Sequence, residues 1–160
     1  MLKRTILLLG ILSISIISFA IPPYYYFGEL QPGQETIIEK MVTDNGFDLL
    51  GNYNPVESQN LKVIAFTNSQ LTSIASNSRD RGALAAILKI AIVMDNGKPN
   101  IYLLNPEYIF WAYLGDEMKK SSVSDPLNAI DKKIKNALEL LGIPREEIGG
   151  NITKSDLVHD

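Results

Sequence analysis

A run of aromatic side chains follows an Asn-Pro pair in the second half of the chain. The run reads Asn105-Pro106-Glu107-Tyr108-Ile109-Phe110-Trp111-Ala112-Tyr113. Helical spacing brings Tyr108 close to Trp111 and places Ile109 and Tyr113 together on an adjacent face. Two phenols and an indole are typical of a pocket for a small apolar or ring-bearing ligand. Because a helix that is apolar all round is usually buried, the alternative is a helix of the core or of a subunit interface.

Two arginines follow a short predicted helix. Thr67, Asn68 or Ser69 caps the start of that helix, and Arg79 and Arg81 lie in the loop that follows it. Backbone N–H groups at a helix start attract anions, and guanidinium groups bind them through two parallel hydrogen bonds. The sequence therefore suggests an anion site. The alternative is ordinary helix capping beside a solvated loop, since every capped helix has this geometry.

Lys89 is the single charge in the apolar stretch of residues 84–94. A lysine in such a strand either extends its charged end into solvent or faces a ligand pocket. Together, the three features give the following candidate ligand-binding residues: Asn68, Arg79, Arg81, Lys89, Asn105, Tyr108, Trp111 and Tyr113.

The chain offers little for catalysis. It has no Cys and one His, which excludes thiol chemistry, disulfides and cysteine or multi-histidine metal sites. Phosphate-binding and nucleophile-elbow motifs are also absent. We therefore predict no catalytic residue, no metal ligand and no cofactor. The alternative is a hydrolase or isomerase that uses carboxylates, such as Asp44 with Asp48 or Asp116 with Glu117, and tyrosine hydroxyls.

The first thirty residues predict export. Lys3 and Arg4 precede an apolar stretch that ends in small residues at Ser18 and Ala20. This is the pattern of a secretory signal peptide cut after Ala20, which indicates a periplasmic or secreted protein. The alternative is an uncleaved anchor, and only in that case do we expect contact with a membrane.

The length and the net charge of the chain limit the number of domains and the kind of partner. The chain has 160 residues and a formal net charge of -3, which fits one domain and disfavours nucleic acid as a partner. We divide the chain into a signal peptide over residues 1–20, an irregular lead-in over 21–33 and a single α+β domain over 34–160.

Turn and capping residues place the elements of that domain. Asp95-Asn96-Gly97-Lys98 predicts a hairpin after a strand within residues 84–94. Ser124-Asp125-Pro126 predicts the start of the last long helix. The predicted order is helix, two strands, short helix, two strands, helix, helix. This order favours a two-layer α+β sandwich, with a roughly four-stranded, mainly antiparallel sheet and helices packed on one face. A helix or a second subunit must then cover the open face.

The same order resembles the domain of unknown function 302 family over residues 34–141. The motifs that carry the resemblance are Gly46-Phe47-Asp48-Leu49-Leu50, Asn68-Ser69-Gln70-Leu71, the Asn-Gly hairpin and Asn105-Pro106. The chain departs from the family at Ser69, where a Pro is common, and in its apolar strand, where the family commonly has Pro-Cys. The aromatic residues after Pro106 indicate an exported branch. The resemblance implies a compact α+β fold that is often dimeric and has no established activity.

From these observations we expect an exported, non-enzymatic domain. It would bind a small ligand or a protein partner through its aromatic helix. An alternative is that the domain forms a homodimer. A further alternative is that it serves only as a structural dimerisation module.

Overall fold

The computed structural model describes residues 20–142 and 145–158, with the exception of the Asp80 side chain. Its strands are β1 (Ala20–Ile21), β2 (Tyr24–Glu29), β3 (Asp48–Tyr53), β4 (Leu61–Thr67), β5 (Leu88–Asp95), β6 (Lys98–Leu104), β7 (Glu146–Ile148) and β8 (Ile152–Thr153). Its α-helices are α1 (Ile37–Asp44), α2 (Ser69–Ser76), α3 (Pro106–Leu114), α4 (Ser121–Glu139) and α5 (Lys154–Leu157). Short 3-10 helices cover Pro55–Glu57, Asp80–Ala86 and Gly115–Lys119.

Six strands form one antiparallel sheet in the order β3-β4-β5-β6-β2-β7. The predicted α+β class is therefore confirmed, and the estimate of four strands was too low. The four predicted strands are β3, β4, β5 and β6. The sequence reasoning missed β2 and β7, which extend the sheet beyond β6.

The lead-in predicted to be irregular contains β2. Its aromatic residues alternate, so that Tyr25 and Phe27 are buried while Tyr24 and Tyr26 are more exposed. This alternation is the period of two expected of a strand with one buried face. Four consecutive aromatic side chains hide that period because hydrophobicity alone does not distinguish the two faces.

One face of the sheet packs against the helices. The alternating residues Ile64, Phe66, Ile90, Ile101 and Leu103 are buried there, and they share one core with buried residues of four helices. The core residues of those helices are Ile38 and Val42 of α1, Leu71 and Ala75 of α2, Ile109, Phe110 and Leu114 of α3, and Leu127, Ile130, Ile134 and Leu138 of α4. Burial of these side chains is the main favourable contribution to folding.

The opposite face of the sheet carries a row of side chains that are half-buried or exposed. Strand register aligns them across five strands as Tyr26, Tyr102, Ala91, Val63 and Tyr53. We call these five residues the open-face row.

Two predicted boundaries shift in the structure. The apolar stretch predicted as a strand over 84–94 begins with the 3-10 helix Asp80–Ala86, and β5 starts only at Leu88. The last long helix begins at Ser121 rather than at Ser124-Asp125-Pro126, so that Pro126 lies inside α4 near its start. Pro126 is the sixth residue of α4, beyond the first turn, so α4 lacks one intrahelical hydrogen bond there because proline has no N–H.

The two ends of the described chain meet in a second, small sheet. Ala20 and Ile21 of β1 pair with Thr153 and Ile152 of β8. Thr153 then caps α5, because its hydroxyl oxygen accepts a hydrogen bond from the Asp156 N–H. The C-terminal tail is thus paired with the two residues on either side of the predicted cleavage site.

The signal-peptide prediction falls on residues 1–19, outside the described residues, and on Ala20. Within residues 20–142 and 145–158, no helix is both long and apolar enough to cross a membrane.

Candidate functional site

Helix α3 presents two kinds of surface. Ile109, Phe110 and Leu114 are buried in the core, whereas the aromatic residues Trp111 and Tyr113 are half-buried. Asn105 begins the helix as its capping residue and Pro106 occupies its first turn, as the sequence predicts. The helix is therefore not buried all round, and part of its aromatic surface reaches solvent.

A cavity of about 270 Å³ lies at the C-terminal end of α3. Arg79 and Arg81 line it from the loop after α2, and Tyr113 lines it from α3. Val158, at the end of the C-terminal tail, forms a further part of the wall. The structure thus brings together two features that the sequence presents separately, the aromatic helix and the arginine loop.

A second cavity, of about 370 Å³, adjoins the first and shares Asp116 and Val158 with it. Trp111 and Lys154 line it. Lys154 Nζ lies 5.0 Å from the centre of the Trp111 ring, within the range of a cation–π contact. We call the two cavities together the α3 groove. Its combined size is that of a small-molecule site.

Most charged groups of the α3 groove are paired. Lys119 Nζ lies 2.7 Å from Asp116 Oδ1, and Lys154 Nζ lies 2.8 Å from Glu107 Oε1. Glu117 likewise accepts hydrogen bonds from Lys120. Among the side chains that the structure describes, no carboxylate pairs with Arg79 or Arg81. Arg79 and Arg81 therefore bring two positive charges to the wall of the groove.

A glycine fixes the arginine loop against α3. Gly82 is buried, and a Cβ atom placed on it would meet Ser78 Cβ and lie 3.4 Å from Leu114 Cδ2. The overlap with Ser78 shows that only a residue without a side chain fits this tight loop, while the distance to Leu114 is an ordinary van der Waals contact with the end of α3.

Tyr108 and Asn68 lie outside the α3 groove. Tyr108 is half-buried against the core. Asn68 caps α2, since its Oδ1 accepts a hydrogen bond from the Leu71 N–H at 2.8 Å. The eight residues of α2 span about 12 Å and separate Asn68 from the arginines, so the helix start and the arginine loop do not form one anion site.

Lys89 is half-buried and lines a small cavity of about 110 Å³ with Leu84, Ile87, Leu104, Ile109 and Tyr113. Tyr113 therefore borders two cavities, this one and the α3 groove. The smaller cavity is mostly apolar and is about the size of a few water molecules.

Asn105 is fully buried, and its side-chain amide both donates and accepts a hydrogen bond. Its Nδ2 donates to the Pro22 carbonyl at 2.6 Å, while its Oδ1 accepts from the Glu107 N–H at 3.1 Å. Its backbone N–H donates to the Pro23 carbonyl at 2.9 Å. These contacts give Asn105 a structural role, in which it joins the start of α3 to the segment before β2.

A buried charge cluster lies beside Tyr25 of β2, and sequence reasoning missed it. Lys135 of α4 is only 6% exposed, and its Nζ lies 2.8 Å from Asp131 and 4.3 Å from the centre of the Tyr25 ring. Arg145, which precedes β7, lies 4.9 Å from the same ring. The i,i+4 spacing of Asp131 and Lys135 was visible in the sequence, but a solvated surface pair has the same spacing.

The environment of this cluster shifts two pKa values. Burial raises the pKa of Asp131, and the nearby Lys135 opposes that rise. Burial, followed by the charges of Asp131 and Glu147, raises the pKa of Tyr25 to about 12. A phenol with that pKa stays protonated at neutral pH and is a poor general base. The cluster therefore has the chemistry of a structural ion pair.

The carboxylate pairs considered for catalysis are at the surface. Asp44 pairs with Lys40 at 2.5 Å, and Asp116 and Glu117 pair with Lys119 and Lys120. Within the described part of the chain, no three acidic or histidine side chains come close enough to hold a metal ion.

Comparison with known proteins identifies the fold. No protein-family model and no curated protein matches the sequence. Among solved structures, the chain is similar to the crystal structure of the uncharacterized conserved protein DUF302 from Bacillus stearothermophilus. The TM-score is 0.56 at 17% sequence identity, over 73% of this chain and 96% of that chain. The resemblance expected from the sequence is thus confirmed at the level of the fold, and the chain has a DUF302-like fold.

Proposed function

We propose that the protein is an exported binding domain that holds a small, ring-bearing molecule in the α3 groove. The observation that carries the proposal is the meeting of Trp111, Tyr113 and the arginine loop around two adjoining cavities. Aromatic walls supply contact area at low entropic cost, and a few polar groups set the orientation of a ligand.

The arrangement of charge supports binding rather than catalysis. The carboxylates that line the α3 groove, Asp116 and Glu117, are held in surface ion pairs. A general acid or base at neutral pH needs a pKa tuned by burial or by a neighbouring charge. The two titratable side chains of the buried charge cluster with shifted pKa values, Tyr25 and Asp131, are not among the residues that line the groove.

Export rests on the pattern of the first twenty residues. A cut after Ala20 would leave Ile21 as the first residue, and Ile21 is buried at 3% exposure. Such a cut removes Ala20 from β1 and keeps every residue of the described core. N-terminal sequencing of the exported protein tests this part of the proposal, with Ile21 as the expected first residue. A mature chain that still begins at Met1 would contradict it.

Binding is tested through Trp111, the single tryptophan of the chain. Its emission reports directly on the α3 groove, without other indoles. We expect a panel of ring-bearing metabolites to include compounds that shift this emission. We also expect native mass spectrometry of the gently purified protein to show a bound small molecule. An unresponsive Trp111 across the panel, together with an unliganded mass, would contradict the proposal.

A second candidate function is homodimerisation through the open-face row. Tyr26 and Tyr102 stack there with ring centres 5.1 Å apart, and Tyr53 is 46% exposed at the far end of the row. Aromatic side chains on a flat sheet surface are enriched at subunit interfaces. Analytical ultracentrifugation of the protein and of Val63→Glu tests this candidate. A dimer that Val63→Glu dissociates supports it, and a monomeric parent protein contradicts it.

A further inference from the structure

We infer that the ligand of the α3 groove is an anion: a ring-bearing molecule whose carboxylate or phosphate group lies between Arg79 and Arg81. This inference rests on the proposed function and specifies the chemistry of the ligand. The arginines line the 270 Å³ cavity, and Tyr113 lines the same cavity from the opposite element. Trp111 lines the adjoining cavity, where the ring of a ligand would lie.

The charge balance of the α3 groove supports an anion. The lysines that line it already have carboxylate partners, which are Asp116 for Lys119 and Glu107 for Lys154. Among the described side chains, which do not include that of Asp80, no carboxylate pairs with Arg79 or Arg81. The two arginines line one cavity and bring two positive charges to it.

The hydrogen-bonding groups of the arginines are also available. Each guanidinium offers five N–H donors in a planar arrangement that matches carboxylate and phosphate oxygens. Among the described contacts, neither arginine side chain donates a hydrogen bond. Both arginines are exposed and line the cavity, so their donors are accessible to a ligand.

A structural role for the arginines makes a different prediction. Positive charge near the C-terminal end of α3 would stabilise the helix through its dipole. In that case, removing the arginines would lower the stability of the protein and leave ligand affinity unchanged. Binding and unfolding must therefore both be measured on each variant.

The test compares benzoate, phenyl phosphate and the neutral analogue benzamide, with Trp111 emission as the readout. We expect both anions to bind at least about tenfold more tightly than benzamide, since one charge-assisted contact accounts for a factor of that size. The double variant Arg79→Gln/Arg81→Gln should remove this advantage and leave benzamide binding unchanged. Lys132→Gln, which removes an exposed positive charge on α4, is the matched control and should leave all three affinities unchanged.

The outcomes separate the inference from the proposed function. Equal affinity for the anions and benzamide overturns the anionic ligand and leaves a ring-binding groove. Loss of stability without loss of anion affinity in the double variant overturns the inference in favour of helix stabilisation. No emission change with any of the three compounds also overturns the inference of an anionic ligand. The proposed function is then tested by the metabolite panel alone. A preference between benzoate and phenyl phosphate indicates which of the two anionic groups the arginines accept.

Discussion

The side-chain Nδ2 of Asn105 donates a hydrogen bond to the Pro22 carbonyl at 2.6 Å, across eighty-three positions of sequence. This contact fixes the segment between β1 and β2 to the start of α3. Since β1 pairs with β8, and β8 leads into α5, the same segment also holds the tail that lines the α3 groove. The geometry of the groove therefore depends on a residue that does not line it.

Replacing Asn105 should destabilise the protein more than replacing the other helix cap of the same type. Asn105→Ala removes two side-chain hydrogen bonds and leaves the buried Pro22 carbonyl unpaired, at a cost of about 2–4 kcal/mol. Asn68→Ala, the matched control, removes one capping bond at a half-buried site, at a cost of about 1 kcal/mol. Urea denaturation of both variants measures the difference. Equal free energies of unfolding would show that the contact with Pro22 contributes nothing.

The buried pair of Lys135 and Asp131 should respond differently to single and double replacement. Asp131→Asn leaves the Lys135 ammonium buried without its counter-charge, and we expect a loss of about 3–5 kcal/mol. Asp131→Asn combined with Lys135→Met removes both charges and should recover most of that loss. Thermal denaturation of the parent protein and the two variants at one pH checks the order of their stabilities. A double variant no more stable than Asp131→Asn would show that the charges do not act as a pair.

Stability around Asp131 should fall as the pH rises through the acidic range. Because burial raises the pKa of Asp131, the native state binds its proton more tightly than the unfolded state does. The stabilisation is present below the usual pKa of an aspartate and is lost as the pH rises through the raised native value. Chemical denaturation as a function of pH should show this slope in the parent protein and lack it in Asp131→Asn. A slope of the opposite sign assigned to Asp131 would mean that Lys135, and not burial, dominates its pKa.

Tyr25 should ionise late in an alkaline titration. Its pKa is raised to about 12, whereas a free tyrosine ionises near 10, so native-state stability falls as the pH rises from 10 towards 12. The absorbance of tyrosinate should show a late step that Tyr25→Phe removes. Tyr53→Phe is the matched control, since Tyr53 is exposed at 46%. An unchanged late step in Tyr25→Phe would contradict the assignment.

Gly82 should be required for the shape of the α3 groove. Gly82→Ala introduces a methyl group that overlaps Ser78 of the same loop, and we expect the loop and its arginines to shift. Overpacking at a buried site costs about 1–3 kcal/mol, so the unfolding free energy should fall by that amount. The affinity for benzoate should fall as well. Ala83→Ser, at an exposed neighbouring position, is the control and should change neither quantity.

The sequence predicts local features of the fold better than contacts between distant segments. The Asn105-Pro106 helix start, the turn at Asn96-Gly97 and the cap at Asn68 all depend on neighbouring residues, and the structure contains each of them. Strand β2 was missed because Tyr24, Tyr25, Tyr26 and Phe27 are similar in hydrophobicity, so period-two alternation appears only once burial is known. The start of α4 was misplaced because Ser124-Asp125-Pro126 carries the pattern of a helix cap three residues inside the helix.

In the candidate site, too, the sequence predicts the local features and not the contacts between distant segments. The aromatic helix and the arginine loop were each visible in the sequence, but their meeting around one cavity is a tertiary contact that no local pattern specifies. The contribution of Lys154 and Val158 was not predicted, because it depends on the pairing of β8 with β1. Contacts of this kind, between segments more than a hundred residues apart, have no periodic signal along the chain.

The central claim is that a ring-bearing anion occupies the α3 groove, and NMR of the purified protein tests it most directly. Titration with benzoate should shift the indole N–H of Trp111 and the side-chain Nε–H groups of Arg79 and Arg81. It should leave the side chain of Arg145, which lies against Tyr25 outside the groove, unchanged. Saturation of these shifts at one common affinity is the predicted result. Shifts confined to the open-face row, or none at Trp111 and the two arginines, would contradict the account.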